Sequence, residues 1–373
     1  RGEKLNEKIK EIPKEDFTIV LIGKEDKEFV EDISNSWLKI HFLRKAKVRN
    51  VKQRDLKKEI EEAKLRFLLD ITFKENFYLL GRKSNFISKY KFGSDIFLVY
   101  NSKFLEYLNS ILSTSSNHFL VLHEPSRDIL FSGKNKIAEI SRSLFSKFSF
   151  KKFSSQTIEL NIDKTFSKNK NHLKEKIEIT ISKVKKVSEK FEEILIPWSG
   201  GKDSTALLIL AKISKIKFTP IFVDTGLEFK INLDYIEKIS KKLKLKFEVV
   251  EANLDKVLRI KGKEFLIKRE CTKQKVSSLY NFIRRNFENP LILIGDRISE
   301  SLQRSFRPEF YKDEFWVFSP IKYWSFFDIQ LLFKKFNLEI DPLYNFGFYR
   351  IGCKVCPFID CLEKKIIKKF KLS

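Results

Sequence analysis

Ile196-Pro-Trp-Ser-Gly-Gly-Lys-Asp-Ser204 is the stretch on which the fold turns. An apolar strand enters it, two adjacent glycines reverse the chain, and a helical stretch near Ser204–Ser214 follows. Ser199, Gly200 and Gly201 let the backbone bring N–H groups close to an anion, which the positive end of the helix also attracts. Lys202 adds charge. Asp203 and Ser204 are candidate caps, and Asp203 is a candidate holder of Mg²⁺ on a pyrophosphate. The spacing is neither the Walker loop nor the dinucleotide-binding fingerprint.

Working outward, apolar runs at Glu193–Pro197, Lys217–Asp224, Lys246–Glu251 and Pro290–Asp296 alternate with helical stretches near Asn232–Leu243 and Lys273–Asn286. A long amphipathic helix is expected before them, over His172–Glu193. This alternation predicts an α/β fold built from right-handed βαβ units, a parallel twisted sheet with helices on both faces. Ligands of such sheets lie beyond the carboxyl ends of the strands. Val223-Asp-Thr-Gly-Leu-Glu-Phe229 and Gly295-Asp-Arg-Ile-Ser-Glu-Ser-Leu-Gln-Arg304 both fall at such ends.

The 373 residues leave room for a second, smaller N-terminal domain of α+β or mostly β type. The boundary is placed in the polar stretch Asn161–Asn171, giving an N-terminal basic region over 1–165 and a catalytic domain over 170–373. In the former, Phe119–Lys134 and then Ile137–Ile140 read as two strands around a turn and a third edge. Arg44-Lys-Ala-Lys-Val-Arg49, with Lys52, Arg54, Lys57 and Lys58, forms a basic strip. The formal net charge of +25 favours a polyanion such as RNA or DNA; a Lys- and Glu-rich solvated surface is the alternative. Hydrophobic residues make up 42%, yet no apolar run reaches the roughly 18 residues of a membrane span, so a soluble protein with no membrane partner is expected, and the cysteine usage fits a reducing cytoplasm. The chain has no methionine and begins at Arg1. Either its start is trimmed or methionine-derived residues are omitted, and in the second case some spacings are short by a residue.

Cysteine usage points away from a disulfide scaffold, since Cys353, Cys356 and Cys361 crowd together near the end and Cys271 stands alone. A Cys-x-x-Cys puts two thiolates on one turn, near enough to share a metal or one cluster. Cys271 opens the helix after the third strand, so convergence of all four is expected. No histidine can join locally, because His41, His118, His123 and His172 all precede the loop.

These segments together resemble a known family. Ser199–Ser204 resembles the PP-loop of the ATP-pyrophosphatase, adenine nucleotide alpha-hydrolase-like superfamily. Val223–Phe229 and Gly295–Arg304 resemble its VDTG and GxRxxES elements, and Leu343–Pro357, preceded by Ser319–Trp324 and a helix over Phe327–Phe336, resembles the signature of PAPS reductases. The chain is thereby identified as similar to an archaeal-type member of the PAPS reductase family. The resemblance implies a nucleotide site of Ser199, Gly200, Gly201, Lys202, Asp203, Ser204, Asp224, Thr225, Gly295, Arg297, Glu300 and Ser301. It also implies a [4Fe–4S] centre on Cys271, Cys353, Cys356 and Cys361, with structural zinc, or three-cysteine ligation with Cys361 free, as alternatives. The family's second cysteine beside Cys271 is replaced by Thr272, so Cys361 is the candidate fourth ligand. About 90–155 is faintly similar to PUA modules, which bind structured RNA.

Two functions follow from that resemblance. The first is an RNA-modifying enzyme using ATP and Mg²⁺ to adenylate a base, with tRNA as the leading acceptor, followed by sulfur transfer at the cysteine centre. Lys202, Asp203 and Cys361 are its candidate catalytic residues, and the sulfur or electron donor is unassigned. The second is a sulfonucleotide reductase acting on PAPS or APS, although the mobile C-terminal cysteine motif of such enzymes is not found after Cys361. A homodimer is compatible with either.

Overall fold

The computed structural model describes residues 2–45 and 47–372; Ala46, within the basic strip, lies outside them. The N-terminal half opens with α1 (Gly2–Lys10), then β1 (Thr18–Ile22) and β2 (Leu38–Phe42), a parallel pair against which α2 (Gln53–Leu69) packs. A hairpin of β3 (Ile71–Lys74) and β4 (Phe77–Leu80) follows. Next comes a five-stranded antiparallel sheet in chain order: β5 (Asp95–Tyr100), β6 (His118–Glu124), β7 (Arg127–Ser132), β8 (Asn135–Ser141) and β9 (Phe150–Lys152). α3 (Lys103–Leu112), capped by Ser102, joins the first two strands. The strands read around Phe119–Lys134 and Ile137–Ile140 are β6, β7 and β8.

The polar stretch read as a boundary is helical. It forms α4 (Ile162–Lys168) and the start of α5 (Lys170–Ser188). Asn161 Oδ1 caps α4 by accepting Lys164 N–H (2.8 Å), and Phe166 packs edge-on against Tyr100. Buried Asn169 accepts Leu80 N–H and donates to Tyr78 O, each at 2.8 Å. Capping and these long-range partners satisfy the polar side chains of the stretch read as a boundary.

The C-terminal half alternates as expected: β10 (Ile194–Pro197), α6 (Lys202–Ile213), β11 (Thr219–Asp224), α7 (Lys230–Leu243), β12 (Glu248–Glu251), α8 (Leu254–Lys261), α9 (Glu264–Ile267), α10 (Glu270–Asn286) and β13 (Leu291–Leu293). After α11 (Leu302–Phe306), β14 (Phe310–Lys312) and β15 (Trp316–Phe318) add a hairpin at the sheet edge. The sheet order is β12-β11-β10-β13-β15-β14, parallel except at β14. Along β10, Ile194 and Ile196 enter one core while Leu195 enters another with Ile221, Ile292 and Val317. Helices therefore cover both faces, and buried parallel strands read as continuous apolar runs.

α12 (Phe326–Lys335), α13 (Pro342–Asn345) and α14 (Cys361–Phe370) complete the chain. The larger core runs without a break from β5 and β6 into α6 and α12. Gln330 of α12 closes the free edge of β5, its Oε1 accepting Leu98 N–H (2.9 Å) and its Nε2 donating to Leu98 O (2.7 Å). An open edge would leave these groups unpaired. The Lys-rich α14 has its first amides donating to Asp360, and its Leu362 and Ile366 are buried.

Candidate nucleotide site

The strand order reverses around β10, with β11 on one side and β13 on the other, so the loop after β10 stands at the switch point where such sheets take ligands. Trp198 anchors the turn: its backbone N–H donates to Ile221 O (2.8 Å) and its indole N–H to Thr205 Oγ1 (3.0 Å). Gly200 follows at φ +73°, where a Cβ would stand 2.6 Å from Asn232 Nδ2 and 2.7 Å from Ile236 Cγ1. Glycine meets both the left-handed backbone and the narrow gap. Gly201 precedes α6, and the first helical amide, on Lys202, donates to Tyr344 Oη (3.0 Å). Ser204 Oγ folds back to accept Ser199 N–H (3.3 Å).

A polar cavity of about 190 Å³ opens at this loop, lined by Ser199, Gly201, Lys202, Asp203 and Ser204 on one side. Gly295, Asp296, Glu300, Arg304, Tyr344, Arg350 and Ile351 line the other. Lys202 forms its floor at 1% exposure. Its Nζ donates to Asp203 Oδ2 (2.9 Å) and Tyr349 O (3.0 Å) and lies 4.8 to 5.1 Å from the ring centroids of Phe326, Tyr344 and Tyr349. Burial lowers the Lys202 pKa against the opposing pull of Asp203. Burial pushes the Asp203 carboxyl up, but Arg297 and Lys202 beside it prevail and hold it below the usual carboxylate range.

Several residues expected to touch the nucleotide do not line this cavity. Arg297 is fully buried and not among the lining residues; its Nε donates to Asp203 Oδ1 (2.6 Å), so it braces the loop from beneath. Ser301 caps α11, accepting Arg304 N–H (3.2 Å). Asp224 accepts Gly226 N–H (2.8 Å), and buried Thr225 donates to Glu228 Oε1 (2.7 Å). The guanidinium groups that do line the cavity are Arg304 and the exposed Arg350. Arg350 belongs to the quoted Leu343–Pro357 segment, so a signal for it existed. Tyr344 and Tyr349 lie in the same segment, whereas Asp95 carried no signal, since an Asp opening a strand does not announce a site.

The carboxylates at the cavity are all engaged by cations. Asp203 is shared by Lys202 and Arg297, Asp296 by Arg304 (3.3 Å) and Arg307 (2.6 Å), and Glu300 by Arg304. Among the described residues no group of three or more His, Cys, Asp or Glu side chains is disposed to hold a metal ion. The residues therefore do not present a ready-built Mg²⁺ site.

Nor do the four cysteines converge. Lys354 N–H donates to Leu227 O (3.0 Å), which sets the Cys-x-x-Cys turn beside the end of β11, with Cys353 Sγ 4.0 Å from Thr225 Oγ1. Burial raises the Cys356 thiol pKa, and nearby Cys271 adds to the rise. Cys361 instead starts α14, buried against the N-terminal sheet: its Sγ donates to Ser141 O (3.2 Å) and its N–H to Ser143 O (3.0 Å). The Asp360 cap and the β8 contact thus hold Cys361 against the N-terminal sheet, the placement in which it stays free of the other three thiols. Cys361 also does not line the cavity, which leaves its candidate catalytic role without geometric support.

Residues 193–358 match the model of the family described as phosphoadenosine phosphosulfate reductase domain. Among curated proteins, MJ0066 of Methanocaldococcus jannaschii is 28% identical over 205 residues, covering 50% of this chain and 41% of the relative. MJ0973 of the same organism is 30% identical over 207 residues, covering 52% and 50%. The chain spans about half the length, or less, of these relatives. Among solved structures, the phosphoadenylyl-sulfate reductase of Candida auris is 14% identical, with a TM-score of 0.41 over 50% of this chain and 95% of that one. The FMN adenylyltransferase of Candida glabrata in complex with ATP is 21% identical, with a TM-score of 0.38 over 49% and 62%. Residues 193–358 of this mixed α/β chain are thus similar to a phosphoadenosine phosphosulfate reductase domain, and the glycine loop after β10 lies within the matched stretch.

Proposed function

We propose that the chain is an enzyme that binds ATP at the loop after β10 and adenylates an RNA base, tRNA being the first acceptor to try, in preparation for thiolation. One observation carries this reading: Ser199, Gly201, Lys202, Asp203, Ser204, Arg304 and Arg350 line a polar cavity at the switch point of the sheet. A nucleobase oxygen attacks the α-phosphorus, the bond to the β-phosphate oxygen breaks, and pyrophosphate leaves onto the loop. Donors already in place stabilise that developing charge without reorganising. Sulfide then attacks the activated carbon and AMP departs with the oxygen. No step runs through a metal cluster. The acceptor is argued from the net charge of +25, which favours a polyanion.

A second reading, reduction of PAPS or APS, is favoured by the description of the matched domain. Titration calorimetry with ATP, PAPS and APS separates the two, and preference for a sulfonucleotide supports the second. Incubation with ATP, sulfide and bulk tRNA is expected to release pyrophosphate and yield thiolated nucleosides by mass spectrometry. ATP-binding protein that releases no pyrophosphate under those conditions refutes the first reading.

A further inference from the structure

Asp95 opens β5 in the N-terminal sheet, yet its carboxylate sits under the glycine loop. It is fully buried and collects five donors. Oδ1 accepts the N–H groups of Ile96 and Phe326, both at 2.9 Å. Oδ2 accepts Arg297 Nη1 (2.6 Å), Tyr349 Oη–H (2.9 Å) and Ser299 Oγ–H (3.3 Å). Arg297 passes the contact on, since its Nε holds Asp203 Oδ1 at 2.6 Å, and Asp203 Oδ2 holds Lys202 Nζ at 2.9 Å. A line of alternating charges therefore runs Asp95, Arg297, Asp203, Lys202.

Three supports of Lys202 depend on the same carboxylate. Arg297 fixes its partner Asp203. Phe326, whose amide Asp95 binds, supplies one ring beneath the ammonium. Tyr349, whose hydroxyl Asp95 binds, supplies a second ring and the carbonyl that accepts from Nζ. His123 of β6 stacks on the Tyr349 ring at 3.6 Å, adding a second contact from the N-terminal sheet. Two anions and two cations balance in this buried quartet. Removing one leaves the others uncompensated in a poorly solvated place.

We infer that Asp95 is a positioning residue of the nucleotide site: by holding Arg297 and Tyr349 it sets where Asp203 and Lys202 stand, so the phosphate-binding loop is completed by the N-terminal sheet. The N-terminal half is then a structural part of the site as well as a candidate RNA holder. This rests on the nucleotide reading of the cavity.

The test compares ATP and inorganic pyrophosphate binding by calorimetry in the full chain and in three variants, each with its melting temperature. Asp95→Asn is expected to weaken both ligands about tenfold or more, as for loss of one partner from a buried charge pair. The alkaline limb of its affinity profile, where Lys202 loses its proton, is expected to move to lower pH, because a stabilising anion has gone. Asp70→Asn is the control for stability alone. That carboxylate is equally buried but pairs with Lys39 and Arg66, and its loss is expected to lower the melting temperature without changing either affinity. Tyr349→Phe keeps the Lys202 contacts of the ring and carbonyl and deletes the hydroxyl donor to Asp95. It is expected to weaken pyrophosphate binding by about threefold, less than one whole neutral hydrogen bond, and it decides the matter if Asp95→Asn does not fold. Wild-type affinity and an unmoved pH profile in folded Asp95→Asn, or unchanged binding in Tyr349→Phe where Asp95→Asn is unfolded, overturn the inference. A wild-type chain that binds neither ligand overturns the nucleotide reading itself.

Discussion

Replacing Gly295 by alanine puts a methyl group 2.9 Å from the Asp203 carbonyl carbon and 3.0 Å from Ser204 N. Carbon atoms in good contact stand about 3.5 to 4.0 Å apart, so the overlap is roughly 0.5 to 1 Å. Both obstructing atoms are backbone in the first turn of α6, and no side chain can rotate away to relieve them. Overpacking of this kind costs about 1 to 3 kcal/mol, part of it absorbed by moving the loop against Gly295. Since about 1.4 kcal/mol is a factor of ten in affinity, ATP binding in Gly295→Ala is expected to weaken about tenfold, with a fall of a few degrees in melting temperature. Gly352→Ala is the matched control, because a Cβ there meets nothing within 4 Å although it adjoins Cys353. Calorimetry with ATP and a thermal melt on both proteins read the two quantities. Gly295→Ala that binds ATP like the wild type, or loses no more than Gly352→Ala, refutes the claim that the β13 end buttresses the loop.

Other consequences are measurable. Burial lowers His118 from 6.5 to about 4, so the unfolded chain takes the proton first. Stability present above about pH 6.5 is lost as pH falls toward 4, by at most about 3 kcal/mol from this group. His118→Gln is expected to flatten that loss in urea titrations at about pH 7 and about pH 4.5, and an unchanged pH slope contradicts the assignment. Cys361, at 7% exposure and bonded to Ser141, is expected to resist iodoacetamide in the folded chain while Cys271, Cys353 and Cys356 react. Rapid native labelling of Cys361 disproves its placement. After anaerobic purification Cys361→Ser is expected to carry the same iron or zinc content as the wild type, and a selective loss of metal restores Cys361 as a ligand.

The architecture of the C-terminal half was legible because its signals are local. Apolar runs of strand length, helical periods between them and a glycine pair at Gly200–Gly201 each depend on residues close in sequence, and β10, β11, β12 and β13 fall within the runs read for them. The helical stretch over Asn161–Asn171 escaped because Asn169 is satisfied by Tyr78 and Leu80, partners no local pattern reveals. The β14–β15 hairpin was missed for a related reason, each strand being only three residues long.

For the site, the sequence by itself determined the loop: its glycines, its lysine and its place between strand and helix follow from backbone chemistry. What only the tertiary structure decided is which neighbours share that loop's charges. Arg297 looked like a ligand-binding arginine, yet Asp95 and Asp203 neutralise it below the cavity. Cys361 looked like the fourth thiolate, yet the cap at Asp360 and the edge of β8 turn it into the interface with the N-terminal sheet. Coulombic and hydrogen-bond partners are chosen by proximity in space, and Asp95 lies 202 positions from Arg297 in the chain.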